Sequence, residues 1–399
     1  MSKQPWVTDD YFVAESNFAD EVRAQWNPPS TIELHDVTMR DGEGTPGVIF
    51  QKDEKVAIAK KLDEIGIPRI EVGHAEPPDY EAMKAIGSLD LKASVWAWCG
   101  NPEEVKVAAK FGMDGIMAGI ASGLPSRMAS GVSKEETIKA AIDTVKCGKD
   151  HRLRVTYFPW DTTRAEIPFL RDLVAEVTEK ASPDSVAIVD TRGVTSPQAF
   201  AYLVKVLKQA SGGLPVEIHA HNDFGLAVPN ALAGVAAGAE AVHVSVLGLG
   251  ERCGNCPLEP LVMALKLLYG TDLGIRTELF FELANLVAKY SGLPIPPNQQ
   301  VVGAFQFVRV TGGGIGTLKK SPTTVFPYNP ELVGRHWEVW LGKVSGPASI
   351  AYKLEQLGLT ASGDQVGRIL ELVKDKAVAE KRCITDEEFR YMVKKVAGS

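Results

Sequence analysis

Five cysteines in 399 residues are few, and odd in number, for the disulfide framework of a small secreted domain. No stretch reaches the roughly 18–20 apolar residues that a bilayer-spanning helix needs. The opening segment, MSKQPWVTDDYFVAESNFADEV, is acidic and aromatic and lacks the basic start and apolar middle of a signal peptide. The 43 Lys and Arg against 50 Asp and Glu give a net charge of −7, with no basic stripe of the kind that follows a phosphate backbone. A soluble, cytoplasmic protein with no nucleic-acid or membrane partner is the expectation.

The composition is that of an ordinary globular chain, 45% hydrophobic and 23% charged. At roughly 150 residues per domain its length suggests two or three domains. Eight apolar, β-branched runs recur, at 31–37, 69–73, 91–98, 114–120, 152–158, 184–190, 214–221 and 240–246. Helical periodicity lies between them, as in KDEKVAIAKKLDEIG, NPEEVKVAAKFG and KEETIKAAIDTVKCG, and several of these segments stop at Gly. Strands buried on both faces read as such runs, and eight strand–helix units over residues 30–290 predict an α/β fold, a TIM (β/α)8 barrel. The alternative is an open doubly wound sheet. Its dinucleotide-binding version is weakened because no G-x-G-x-x-G follows the first run. Residues 1–29 read as an N-terminal extension and the Pro-rich 291–300 as a linker. Residues 301–399 read as a small appended C-terminal α+β or helical region.

Reactive groups of such barrels sit at the C-terminal strand ends. Arg40 and Asp41 follow the first run, Glu71 lies on the second with His74 just beyond it, His219 and His221 lie on the seventh, and Asn255 follows the eighth. Residues i and i+2 of a strand share a side, so the two histidines point together. With Asp41 and Asn255 they form a nitrogen and oxygen set suited to Mn, Zn, Co or Mg. The other reading of H-x-H is two unrelated histidines, one buried and hydrogen-bonded. A guanidinium at Arg40 suits the oxyanion of an enolate or alkoxide; a surface arginine at a strand end is the other reading.

Four segments carry a resemblance: RDGEGTPGV (40–48), IEVG (70–73), HAHNDFGLAVPNALA (219–233) and GLGERCGN (248–255). They are similar to the signatures of the DRE-TIM metallolyases, which include 2-isopropylmalate, homocitrate and citramalate synthases and, more distantly, 3-hydroxy-3-methylglutaryl-CoA lyase. The resemblance implies a TIM barrel with a divalent metal held by Asp41, His219, His221 and Asn255. It also implies Arg40 as partner of the enolate or carbonyl, Glu71 as the acid behind it, and a homodimer. Thr191 in VDTRG and Arg164, retained from D-x-T-R, are assigned to the substrate.

The departures are equally specific. Gly44 stands where the synthases carry Gln. GIASGLPSRM lacks their histidine after strand four, and VTYFPWDTTR puts Phe158 and Trp160 in place of Ser and Glu. In the appended region Arg309 and Gly314 replace two histidines, and Val344 a third. Either another residue supplies the base that abstracts a C–H proton, or the reaction needs none. His74 is the first candidate, the other reading being a histidine exposed at the rim. Cys253 is the second, the other reading being a small buried residue; C-x-x-C at 253–256 is read as coincidence. Trp98, Phe158 and Trp160 would line a pocket for a bulky, apolar or cationic acceptor, or simply pack. His35 suits either a supporting or a core role, and His151, His243 and His336 receive no functional reading.

Three functions follow. The first is an acyltransferase condensing an acyl-CoA with a 2-oxoacid, as the synthases do. The second is a lyase or aldolase cleaving a tertiary 2-hydroxy acid. The third, a catalytically silent scaffold, is opposed by the intact ligand set.

Overall fold

The structure is a computed structural model and describes residues 4–398. Residues 1–3 of the N-terminal extension, and residue 399, lie outside the described residues. The chain divides into two compact units, one spanning Ser16–Ile295 and the other joining residues 4–15 to 296–398.

In the first unit eight strands alternate with eight helices. They run β1 (Glu33–Asp36), α1 (Lys52–Ile65), β2 (Arg69–His74), α2 (Tyr80–Ile86), β3 (Ser94–Cys99), α3 (Pro102–Lys110), β4 (Gly115–Gly119) and α4 (Lys134–Asp150). The second half runs β5 (Arg154–Phe158), α5 (Ile167–Ala181), β6 (Ser185–Asp190), α6 (Pro197–Ala210), β7 (Val216–Ala220), α7 (Ala227–Ala236), β8 (Ala241–Val244) and α8 (Leu258–Leu268). All pairings are parallel, and β8 returns to β1 with Leu34 opposite Val242, closing the barrel. This is the TIM (β/α)8 barrel that the period predicts.

Local chemistry sets the element ends. Ser133 accepts from the Glu136 N–H while Glu136 reaches back to the Ser133 N–H, a capping box that starts α4. Gly66 ends α1 at φ 94°, a left-handed conformation that costs glycine little. The strands are buried on both faces, β6 over its whole length.

In the second unit β9 (Val308–Arg309) and β10 (Glu338–Val339) pair in parallel. Three helices follow, Pro347–Gln356, Gly363–Glu380 and Asp386–Ala397, around a core that includes Ile350, Ile369, Val373 and Phe389. Among the described residues no helix is long and apolar enough to cross a membrane.

Candidate metal and substrate site at the C-terminal mouth of the barrel

After β1 the chain turns tightly: the Asp41 N–H donates to the Val37 carbonyl at 2.9 Å, which aims Arg40 and Asp41 into the barrel mouth. His219 on β7 and His221, the residue directly after the strand and bridged to Asn255, reach the same space, as the two-residue repeat requires. Their Nε2 atoms lie 3.3 Å apart. Asp41 Oδ2 is 3.4 Å from His219 Nε2, and its Oδ1 is 4.0 Å from His221 Nε2. Asn255 Nδ2 donates to Asp41 Oδ1 at 2.9 Å and to the Leu249 carbonyl at 3.0 Å. That leaves Asn255 Oδ1 buried without a hydrogen-bond partner.

These groups fit a divalent cation. Asp41, His219 and His221 each offer a ligand atom, all within 4.8 Å of one another, and all three residues are buried. Two imidazole nitrogens pointing at each other, a carboxylate and an orphaned amide oxygen are all electron-pair donors. Burial pushes the His219 and His221 imidazoles down to about 4, so both present lone pairs at neutral pH. Burial raises the Asp41 carboxyl, but the Arg40 guanidinium beside it pulls the other way, and the carboxyl lies well below the usual carboxylate range.

Arg40 lies between two carboxylates. Its Nη1 is 2.5 Å from Asp41 Oδ2, its Nε 3.1 Å from Glu71 Oε1, and its Nη2 3.1 Å from Glu71 Oε2. It also sits 5.8 Å from the centre of the Phe158 ring.

His74 is the last residue of β2 rather than a residue beyond it. Glu71 and His74 are three residues apart, so a regular strand would turn them to opposite faces. A register irregularity between Glu71 and Gly73 adds the missing residue and brings both to the mouth, with His74 opposite Trp98. Gly73 is required there, because a Cβ would lie 2.3 Å from Asp79 Oδ2. That carboxylate accepts from the His74 N–H at 2.8 Å and from Lys55 Nζ at 2.6 Å. Burial, then Arg40, pushes the His74 imidazole down to about 4.

A cavity of about 370 Å³ opens over these groups. Trp98, Phe158, Trp160 and Val189 supply an apolar wall, and Arg40, Asp41, His74, Thr191, His219 and His221 also line it. Gly44, in the Gln position, lies beside Glu251: a Cβ on it would come 2.9 Å from Glu251 Cγ. Arg164 is turned elsewhere. Its guanidinium holds both oxygens of the buried Asp161 at 2.7 Å, and Asp161 N–H donates to Thr191 Oγ1 at 2.7 Å. Cys253 is exposed and does not line the cavity; Cys256 is buried. In the other unit, Arg309 donates to the Gly313 carbonyl.

Sequence reasoning missed several groups. Val189, Arg192 and Glu251 line the cavity, the first two in VDTRG and the last in GLGERCGN, and none of them was assigned a role. Below the mouth, His243, Glu217 and Arg69 form a buried polar cluster. The signal available was their place on barrel strands, where a charged residue needs a partner.

The HMGL-like family model matches residues 31–287. The chain is 36% identical to the homocitrate synthase AksA of Methanothermobacter thermautotrophicus, over 97% of this chain and 98% of that protein. It is 38% identical to a 2-isopropylmalate synthase of Methanocaldococcus jannaschii, over 93% of this chain and 73% of that one. With the (R)-citramalate synthase CimA of the same organism it shares 36% identity over 92% and 75%. The barrel is similar in fold to the HMG-CoA lyase of Bacillus subtilis, with a TM-score of 0.60 at 18% identity, over 68% of this chain and 97% of that one. The chain belongs to the HMGL-like family, within the DRE-TIM metallolyases.

Proposed function

We propose that this protein is a metal-dependent acyltransferase that condenses an acyl-CoA with a 2-oxoacid. The observation that carries the reading is Arg40 held by Glu71 and Asp41 directly beside the Asp41, His219 and His221 ligand atoms. The names of relatives matched over almost the whole chain support the same reaction class.

Asp41, His219, His221 and the orphaned Asn255 Oδ1 would hold Mn, Zn, Co or Mg, which as a Lewis acid would polarise the carbonyl of the acceptor. Arg40 donates to the oxyanion that develops there as the new carbon–carbon bond forms. Glu71 keeps the guanidinium fork in place. His74, neutral because it is buried, takes the α-proton of the acyl-CoA. The carbanion so formed adds to the acceptor carbonyl, and water then hydrolyses the thioester to release the CoA thiol. Trp98, Phe158 and Trp160 receive the side chain of the oxoacid and exclude water from it. Thr191 meets its carboxylate, and Arg164 acts at one remove by fixing Asp161 against Thr191. The reading carries with it a homodimer, which light scattering checks.

The test is a panel of 2-oxoacids and acyl-CoAs incubated with the purified protein and Mn²⁺, followed by free thiol. Thiol release with one pair, absent without the oxoacid, is expected. No release with any pair, together with oxoacid production from a tertiary 2-hydroxy acid, would establish cleavage instead.

A further inference from the structure

Beneath the ligand cluster the barrel encloses a row of buried polar groups that leads away from the cavity. His219 Nδ1 lies 3.3 Å from His243 Nδ1, and His243 Nε2 lies 2.9 Å from Glu217 Oε2. Arg69 binds Glu217 with both terminal nitrogens, at 2.8 and 3.0 Å, and the hydroxyls of Thr156 and Ser185 reach Glu217 Oε1 at 3.0 and 2.6 Å. All of these residues are buried. The His243 ring is fixed on its faces too, stacked at 6° on Phe158 and tilted against His35.

The hydrogen-bond chemistry of this row runs in one direction. Glu217 faces donors on every side, so it is a carboxylate that only accepts. His243 must then donate from Nε2, which leaves its Nδ1 with a lone pair. His219 meets that lone pair with Nδ1–H, and its own lone pair moves to Nε2, the atom that faces Asp41 and His221. His221 has no such backing, since its Nδ1 is buried without a partner. A ligating imidazole is commonly oriented by a carboxylate or carbonyl on its far nitrogen; here the carboxylate works through an intervening histidine.

We propose that Glu217 and His243 are positioning residues for His219: a carboxylate–imidazole–imidazole relay that fixes the proton on His219 Nδ1 and keeps Nε2 free as a ligand. The proposal rests on the reading that Asp41, His219 and His221 hold a cation, and adds which groups prepare one of the three. Arg69, Thr156 and Ser185 serve the relay by keeping Glu217 ionised and immobile. Glu217→Gln tests the direction of the relay with little change of shape. With Arg69 still donating, the amide NH₂ of the glutamine turns to His243 and the proton order reverses, so that His219 carries its proton on Nε2.

Two measurements on the full chain decide it. In metal-free protein labelled with ¹⁵N-histidine, long-range ¹H–¹⁵N spectra read the tautomer of each ring. His219 is expected as the Nδ1–H form and His243 as the Nε2–H form, and a His219 protonated on Nε2 would overturn the relay. This reading needs no variant to fold and no metal to bind. Calorimetric titration with Mn²⁺ gives the second. Glu217→Gln and His243→Phe, shown to be folded by circular dichroism, are expected to bind Mn²⁺ about 10–100-fold more weakly than the wild type. Affinities within about twofold of wild type would overturn the proposal. A wild-type protein that takes up no Mn²⁺ would remove the cation reading itself, and the tautomer of His219 would still decide the relay.

Discussion

Arg40 and Glu71 form a buried ion pair between β1 and β2: Nη2 donates to Oε2 at 3.1 Å, and Nε lies 3.1 Å from Oε1 without the alignment of a hydrogen bond. Glu71 is fully buried, and burial pushes its carboxyl above the usual range although Arg40 pulls the other way. A buried guanidinium held on two points cannot swing to follow a substrate. It offers a fixed donor to charge that develops later in the reaction. Arg40→Lys keeps the charge and loses the fork. Its kcat is expected to fall about 10²–10³-fold, measured by thiol release, with Mn²⁺ binding largely retained.

His74 is the side chain on the cavity wall best suited to accept a proton from the acyl donor. His74→Ala is expected to lose about tenfold or more in kcat. Mn²⁺ affinity measured by calorimetry is expected to stay at the wild-type value. An unchanged kcat would remove His74 from the mechanism.

Trp160 lines the cavity beside Phe158 and is itself only partly buried. Trp160→Ala removes apolar contact with the acceptor, a loss of about 1–2 kcal/mol for a partly exposed ring. The KM for an apolar 2-oxoacid is expected to rise roughly tenfold with a smaller change in kcat. Steady-state kinetics on the best substrate pair checks the split.

Glu259 opens α8 fully buried, and its oxygens accept from the Leu247 N–H at 3.1 and 3.2 Å. Burial raises its carboxyl from 4.5 to about 7. Between those values the folded chain holds a proton that the unfolded chain has lost. This contribution therefore weakens as pH rises from 4.5 towards 7 and is constant above that. Glu259→Gln abolishes the dependence while keeping an acceptor for Leu247. Relative to wild type, the variant is expected to gain about 3 kcal/mol in urea unfolding between about pH 5 and pH 8. A difference independent of pH would show that Glu259 is ionised in the folded protein at both values.

Much of the barrel was legible because a strand buried on both faces writes itself as an apolar run. Each of the eight runs overlaps one strand, six of them containing it whole and two stopping one residue short, and 184–190 matches β6 to within a residue. The ligand cluster was legible for a different reason: His219 is on β7 and His221 continues its extended chain one residue past the end, and their two-residue spacing fixes their common side. His74 was harder. Its side depends on the irregularity at Glu71–Gly73, which answers to the Asp79 carboxylate over Gly73 and has no local pattern. Arg164 stood in a matching motif, yet Asp161, three residues before it, takes its guanidinium at 2.7 Å. The relay below His219 was invisible because Glu217 and His243 come from neighbouring strands, β7 and β8, while Arg69 comes from β2, far from both in sequence. Only closure of the barrel puts their side chains on one axis.

The central claim is that one cation joins side chains from β7 and from the loops after β1 and β8. Anomalous diffraction from crystals soaked in Mn²⁺ tests it most directly. A single strong peak within about 2.5 Å of Asp41, His219 and His221 atoms is predicted. Mn²⁺ found elsewhere on the chain, with these three side chains still facing each other and empty between them, would contradict the account.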